Sequence, residues 1–395
     1  MKPSIALVLA MLACSAPPAA AASFQSCLAA IGSRAVAAGV SPAVFERSTS
    51  GLQPDMTIID LMNKQPEFRT PIWDYMAGLV DAQRIADGRR MLAKWGAVLG
   101  NVQRRYGVDP AVVVAVWGVE SNFGENQGSY PLVQSLATLS CYGGRRHAYF
   151  QGEFINALKI IQRRDVDPAH LMGSWAGAFG NTQFMPSTFL RSAVDGDGDG
   201  RRDIVDSVPD ALASTANYLA KAGWVPGSRW GYEVRLPSGF RPGLAGRGRK
   251  RPLAAWAAMG VRRVDGSPLP ADNARAAILL PAGASGPAFV VFRNFDAIYS
   301  YNAAESYALA IAHLSDRIRG GGPFATPWPT DDPGLSRAQR RELQALLTRR
   351  GYDVGPADGA IGAKTVLAVK DMQRRLGLAV TGHPGLKILT ALRGG

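Results

Sequence analysis

Asp109-Pro110 is followed by nine residues, Ala111 to Val119, without a charged or hydroxylated side chain, and Glu120 ends the run. Asp109 is a capping carboxylate, and Pro110 suits the first position of a helix. A helix with so little to offer water implies a large apolar body around it. One turn back from Glu120 stand Val116 and Trp117, both apolar. A carboxylate there loses hydration and sits at the negative end of the helix dipole, and both effects raise its pKa. A carboxyl that stays protonated near neutral pH is what general-acid cleavage of a glycosidic bond requires. Most glutamates at helix ends are solvated and do no chemistry, so this helix alone leaves both readings open.

The rest of the chain narrows the choice. Its 395 residues are 47% apolar and 19% charged, enough for a sizeable core and for two or three domains. Three cysteines exclude a disulfide-dense scaffold, and neither His-Glu-x-x-His nor Cys-x-x-Cys occurs. A net charge of +13 points to an anionic partner. Lys2, the apolar run Ile5 to Ala13 and Ala20-Ala21-Ala22 compose a signal peptide over residues 1–22, with Ser23 first in the exported, periplasmic chain. Cys14 follows a poor lipobox, which leaves a lipoprotein as the alternative. Export makes nucleic acid an unexpected partner, so Arg247-Gly-Arg249-Lys250-Arg251 reads as a solvated loop. No transmembrane helix is expected in the mature chain, which reads as a monomer. Cys27 and Cys141 can pair in an oxidising compartment or serve as small core residues.

From Ser23 to Arg319 the periodicity is mostly helical, with helices expected in Ile72 to Leu99, Asp109 to Ser121, Gly152 to Gln162, Pro209 to Ala222 and Ala304 to Ile318. Tyr232 to Leu236, Ala276 to Leu280 and Ala288 to Phe292 read as strands of a small inserted sheet. The fold class is therefore mainly α with a minor β part. Residues 320–334, with four prolines and a Gly-Gly-Gly start, read as a linker. In residues 335–395, Gly359-Ala-Ile-Gly362 recurs as Gly382-His-Pro-Gly385, each opening a helix; with Leu335 to Arg350 this makes a three-helix module. Gly351-Tyr-Asp-Val-Gly355-Pro-Ala-Asp358-Gly359 and Ala368 to Leu378 resemble the type 1 peptidoglycan-binding domain, with Met372 where that family usually has Phe.

Gly173 to Phe189 mixes close-approach glycines with aromatic and amide side chains, a composition suited to a sugar groove. With Val116-Trp-Gly-Val-Glu120-Ser-Asn-Phe-Gly124, Gly144-Arg145-Arg146, Asn217-Tyr218-Leu219 and Ser300-Tyr301-Asn302, it resembles the membrane-bound lytic transglycosylase B family over residues 23–319. The resemblance implies a lysozyme-like fold, Glu120 as the single catalytic acid/base, and Ser174, Gln183, Tyr218, Tyr301, Asn302, Arg145 and Arg146 as substrate-groove residues.

Asp195-Gly-Asp197-Gly-Asp199-Gly200-Arg201-Arg-Asp203-Ile-Val-Asp206 fits the twelve positions of an EF-hand loop. Asp195, Asp197, Asp199, the Arg201 carbonyl, Asp203 and Asp206 are the expected ligands. Asp206 stands where a longer Glu usually binds through both oxygens. The family carries a structural calcium here, and no cofactor is expected for the chemistry. The implied activity is non-hydrolytic cleavage of peptidoglycan glycan strands between N-acetylmuramic acid and N-acetylglucosamine. A lysozyme-type hydrolase and a non-catalytic wall-binding scaffold are the alternatives.

Overall fold

The computed structural model describes residues 19–63, 70–270 and 272–394. Most of the expected signal peptide, Cys14 included, lies outside them. The Pro110–Ser121 helix forms as its sequence demands: the Asp109 carboxylate accepts from Ala111 N at 2.8 Å, and every residue from Ala111 to Gly118 is buried. Having no polar face, it is wrapped by the helices Ala82–Lys94, Gly96–Tyr106, Val208–Lys221 and Glu305–Ile318. Val113, Val116, Leu212, Leu309 and Phe295 belong to the core built around it.

The stretch Ile72 to Leu99 is not one helix. It divides into Ile72–Leu79, Ala82–Lys94 and the start of Gly96–Tyr106. Asp81 causes the first break by capping a new helix, accepting from Arg84 N at 2.8 Å. The apolar spacing runs through the break, so periodicity alone does not register it.

A second core gathers the Ala19–Ala37, Leu132–Tyr142, His147–Arg163 and Pro186–Ser192 helices around Phe24, Leu136, Phe154, Phe179 and Phe184. Tyr218 and Tyr301 pack against both cores and so line the seam between them. Cys27 and Cys141 are joined in a disulfide that ties the first of these helices to the second.

The five-stranded sheet is antiparallel throughout, in the order Arg251–Pro252, Arg275–Leu279, Ala288–Val291, Gly231–Arg235 and Arg262–Arg263. Val290 lies opposite both Ile278 and Tyr232. The basic run beside it is not a free loop. Arg247 and Lys250 both close on Asp296, and the Arg247 guanidinium lies 3.7 Å from the centre of the Tyr299 ring.

The Arg337–Arg349, Ala363–Arg375 and Leu386–Gly394 helices share a small core of Leu343, Leu347, Val369 and Leu389. They rest on the larger body through charge. His383 sits between Asp74 at 2.8 Å and Asp332 at 3.0 Å, which lifts its pKa to about 9. Arg337 binds Asp81 at 2.8 Å and donates to Asn122. The Pro/Gly segment is anchored as well: the Glu233 carboxylate accepts from Ala325 N and Thr326 N, and Phe324 stacks on His313.

The disulfide closes a separation of 114 residues, a length at which loop closure in the unfolded chain is costly. Replacing Cys27 and Cys141 by Ser together is expected to lower the unfolding free energy by about 2–5 kcal/mol. Denaturant titration checks this, and an unchanged midpoint rejects it.

Candidate active site

Glu120 lies in the last turn of the central helix, where the helix opens into the seam. Glu120 is half-buried, and the loss of water around its carboxyl lifts its pKa to about 7. The Tyr307 hydroxyl donates to Glu120 Oε1 and acts in the opposite direction, favouring the charged form. Tyr307 comes from the Glu305–Ile318 helix, which packs along the central one. It is buried, and its phenol is held well above the ordinary tyrosine range by desolvation and by the neighbouring Glu120 charge. No sequence motif marks Tyr307. Its only sequence signal is a position six residues after Tyr301 at the start of an apolar helix.

The aromatic wall continues outward from there. Tyr307 stacks near Tyr301 at 6.3 Å between ring centres, and Tyr301 meets Tyr218 edge-on at 4.8 Å. The hydroxyls anchor these rings to backbone: Tyr301 donates to Thr182 O at 2.8 Å, and Tyr218 to Ser300 O at 2.7 Å. Gln183 donates through Nε2 to Gln127 O and Gly180 O, both at 2.9 Å. Ser174 Oγ accepts from Ala178 N at 3.1 Å and holds the turn that begins the glycine-aromatic block. Asn302 is exposed beside Tyr301.

Glu120, Tyr218, Tyr301 and Tyr307 are thus joined in one contact chain, and Gln183 and Ser174 flank it on the 173–184 segment. Arg145 and Arg146 stand apart, on the turn that leads into the His147–Arg163 helix. Arg146 covers the Tyr149 and Phe150 rings, whereas Arg145 has no side-chain partner among the described residues.

Backbone strain collects at the same place. Asn122, Phe123, Gln183 and Ala303 hold φ of 52°, 61°, 51° and 48° without being glycine. Asn122 and Phe123 directly follow the turn that carries Glu120. Phe123 is held by a slot cut for it: its ring packs edge-on against Trp117, and a Cβ on Gly118 would lie 2.6 Å from its tip.

No second carboxyl faces Glu120 among the described residues nearest to it in sequence. Glu125 is exposed and bonded by Asn122, and both Glu153 oxygens are used by Ser187, from its N at 2.8 Å and its Oγ at 2.7 Å.

The acidic loop departs from its twelve-position reading. Asp195 folds the loop on itself, accepting from Gly198 N and Gly200 N, both glycines having positive φ. Asp199 accepts from Arg201 N, and Asp203 turns inward to Val205 N and Asp206 N. Asp206 points instead to His170, at 2.8 Å. Carboxylates that gather within 4.8 Å of one another belong to Asp195, Asp197 and Asp210. Asp210, in the first turn of the Val208–Lys221 helix, thus stands with Asp195 and Asp197, whereas Asp206 faces His170. The chain makes a turn after Asp203 before that helix starts. Asp210 is buried, its pKa pushed up to about 6 mainly by burial, and a cation beside it would offset that cost.

Comparison with known proteins bears on this geometry. A sequence profile described as transglycosylase SLT domain matches residues 23–316, and a peptidoglycan binding domain profile matches residues 336–392. The chain is 32% identical over 249 residues to the membrane-bound lytic murein transglycosylase B of Escherichia coli, covering 62% of this chain and 66% of that one, just under two thirds of the relative's length. SltB3 from Pseudomonas aeruginosa, solved in complex with NAG-anhNAM-pentapeptide, superposes with a TM-score of 0.76 at 46% identity over 94% of this chain and 99% of that one. Escherichia coli Slt35, solved in complex with calcium, superposes with a TM-score of 0.64 at 28% identity over 75% and 92%.

The Tyr307 hydrogen bond lowers the pKa of Glu120, so its removal has a determined sign. Tyr307→Phe is expected to raise that pKa above about 7 and to move the alkaline limb of the pH–rate profile to higher pH. A limb that stays in place or moves down contradicts the assignment.

Proposed function

The chain belongs to the transglycosylase SLT domain family, and we propose that it cleaves peptidoglycan strands at the β-1,4 bond from N-acetylmuramic acid to N-acetylglucosamine, with Glu120 as acid and then base. The enzyme is a lytic transglycosylase, and its product ends in 1,6-anhydromuramic acid. The observation that carries the residue assignment is a half-buried carboxyl with a pKa of about 7 that no second carboxyl faces among the described residues nearest to it in sequence. A hydrolase of the lysozyme type needs that second group as nucleophile or as base for water.

Protonated Glu120 gives its proton to the glycosidic oxygen, and the bond from that oxygen to C1 of the muramic ring breaks. The ring's own C6 hydroxyl then attacks C1 and returns its proton to Glu120. Atoms balance without water: one C–O bond breaks, another forms, and the acid is regenerated. The internal hydroxyl has a large effective-concentration advantage over solvent. Tyr218, Tyr301, Gln183, Ser174 and Asn302 line the groove, and Arg145, without a side-chain partner among the described residues, suits a carboxylate of the stem peptide. The chain's net charge of +13 favours the same polyanion.

Residues 23–319 are the catalytic unit and residues 335–395 the wall-binding unit, joined by 320–334. Export to the periplasm with loss of residues 1–22 agrees with the disulfide. No helix among the described residues is long and apolar enough to cross a membrane. Asp195, Asp197 and Asp210 suit a structural calcium, an ion that would neutralise the loop and stay out of the chemistry.

Mass spectrometry of the released fragments tests the reaction. Wild type is expected to release ends one water lighter than reducing ends, and Glu120→Gln to lose about 10²–10⁴-fold in rate while remaining folded. Reducing ends carrying oxygen-18 from labelled water would make the enzyme a hydrolase, and near wild-type turnover by the folded variant would remove Glu120 from the mechanism. For the ion, chelation with EDTA is expected to lower the melting temperature and calcium to restore it. An identical melting curve for a verified metal-free sample rejects the site.

A further inference from the structure

Asn181 lies inside the glycine-aromatic block, is 3% exposed, and has every polar group engaged. On one side it meets the helix that carries Glu120. Its Oδ1 accepts from Trp117 Nε1 at 2.9 Å, and its backbone O accepts from Ser121 Oγ at 2.6 Å. Trp117 stands three residues before Glu120 and Ser121 one residue after it, so the two bonds bracket the carboxyl on the last helical turn. Ser121 Oγ also accepts from Gly124 N at 2.9 Å, which pins the strained Asn122–Gly124 turn. That turn passes close over Asn181: a Cβ on Gly124 would lie 2.6 Å from Asn181 Oδ1.

On its other side Asn181 holds the end of the acidic loop. Its backbone N donates to Ile204 O at 2.8 Å, and Nδ2 donates to Ile204 O at 3.1 Å and Val205 O at 2.8 Å. Gly180 lets the backbones come this near, since a Cβ there would lie 2.7 Å from the Ile204 side chain. The neighbouring Thr182 O receives the Tyr301 hydroxyl, and Gln183 is the groove amide. One short turn therefore touches the acid-bearing helix, the acidic loop and the aromatic wall.

We propose that Asn181 is a positioning residue that fixes the Trp117–Ser121 turn, and with it the Glu120 carboxyl, to the Ile204–Val205 end of the acidic loop. Only an amide supplies this combination: an acceptor for the indole and a pair of donors for two carbonyls. Asp would set its charge against both carbonyls, and Leu would leave the Trp117 indole N–H without its acceptor and take one donor each from the Ile204 and Val205 carbonyls. The inference rests on Glu120 being the acid, so its test has a readout that does not depend on turnover.

Wild type, Asn181→Ala and Trp117→Phe are labelled with carbon-13 at the glutamate carboxyls, and the Glu120 signal is assigned by its absence from Glu120→Gln. Trp117→Phe removes the same indole bond from the other end and keeps Asn181, so it stands in should Asn181→Ala fail to fold. Both variants are expected to shift the Glu120 titration midpoint. Both should also lower kcat by up to about 10²-fold with little change in KM, as displacement of a reacting group does. The double variant should shift the midpoint no further than Asn181→Ala alone, because both remove one interaction. A folded variant with a lower melting temperature but unchanged Glu120 titration and kcat would reduce Asn181 to a structural residue and overturn the proposal. A shifted titration in an enzyme whose Glu120→Gln variant stays active would support the positioning role and refute the catalytic one.

Discussion

The burial of the Pro110–Ser121 helix on all sides is the constraint from which the rest follows. A helix with no polar face gains nothing from the surface, so other helices must supply apolar cover around its whole circumference, and they do. The cover fails only where the helix ends, and Glu120 stands at that end. The same enclosure that stabilises nine apolar residues makes the carboxylate costly, and the pKa near 7 is the measure of that cost. Between its ordinary value of 4.5 and about 7, the folded state holds this proton more firmly than the unfolded chain does. Its contribution to stability is therefore lost as pH rises through that window. Competence as an acid and a loss of stability as pH rises from 4.5 to about 7 come from one desolvation.

Much of this was legible in the sequence, because it depends on residues close together in the chain. Asp109-Pro110, the apolar run and Glu120 define a helix and its environment without reference to any distant partner. The helices that periodicity predicts over 152–162, 209–222 and 304–318 form as His147–Arg163, Val208–Lys221 and Glu305–Ile318, and the three main strands follow in the same way. Partners across the fold carry no such signal. Tyr307 meets Glu120 from 187 residues away, and Asn181 meets Trp117 from 64. Neither residue type nor spacing distinguishes them from tyrosines and asparagines elsewhere.

Two further departures have the same root. Position places Asp206 in the acidic loop, whereas in the fold it faces His170 and Asp210 stands beside Asp195 and Asp197. The Pro/Gly composition of residues 320–334 suggests a free tether, yet Phe324 stacks on His313 and meets Phe289 edge-on, and Glu233 fastens two of the segment's amides. Composition reports what a segment does when nothing binds it. Here the body offers an aromatic shelf and a carboxylate.

The non-glycine residues of positive φ at Asn122, Phe123, Gln183 and Ala303 have a consequence for how this enzyme can change. Elsewhere in a fold, a strained residue of this kind is a ready target for improving heat tolerance, since glycine relieves the backbone cost. At Phe123 and Gln183 the side chain is the reason for the strain: one fills the slot against Trp117 and Gly118, the other reaches Gln127 and Gly180. Relief there would remove the group that the backbone is bent to present. A lineage adapting to higher temperature must therefore find its gains away from the seam, in caps, loops and surface charge. The residues around the seam would then drift more slowly than their degree of burial alone would suggest.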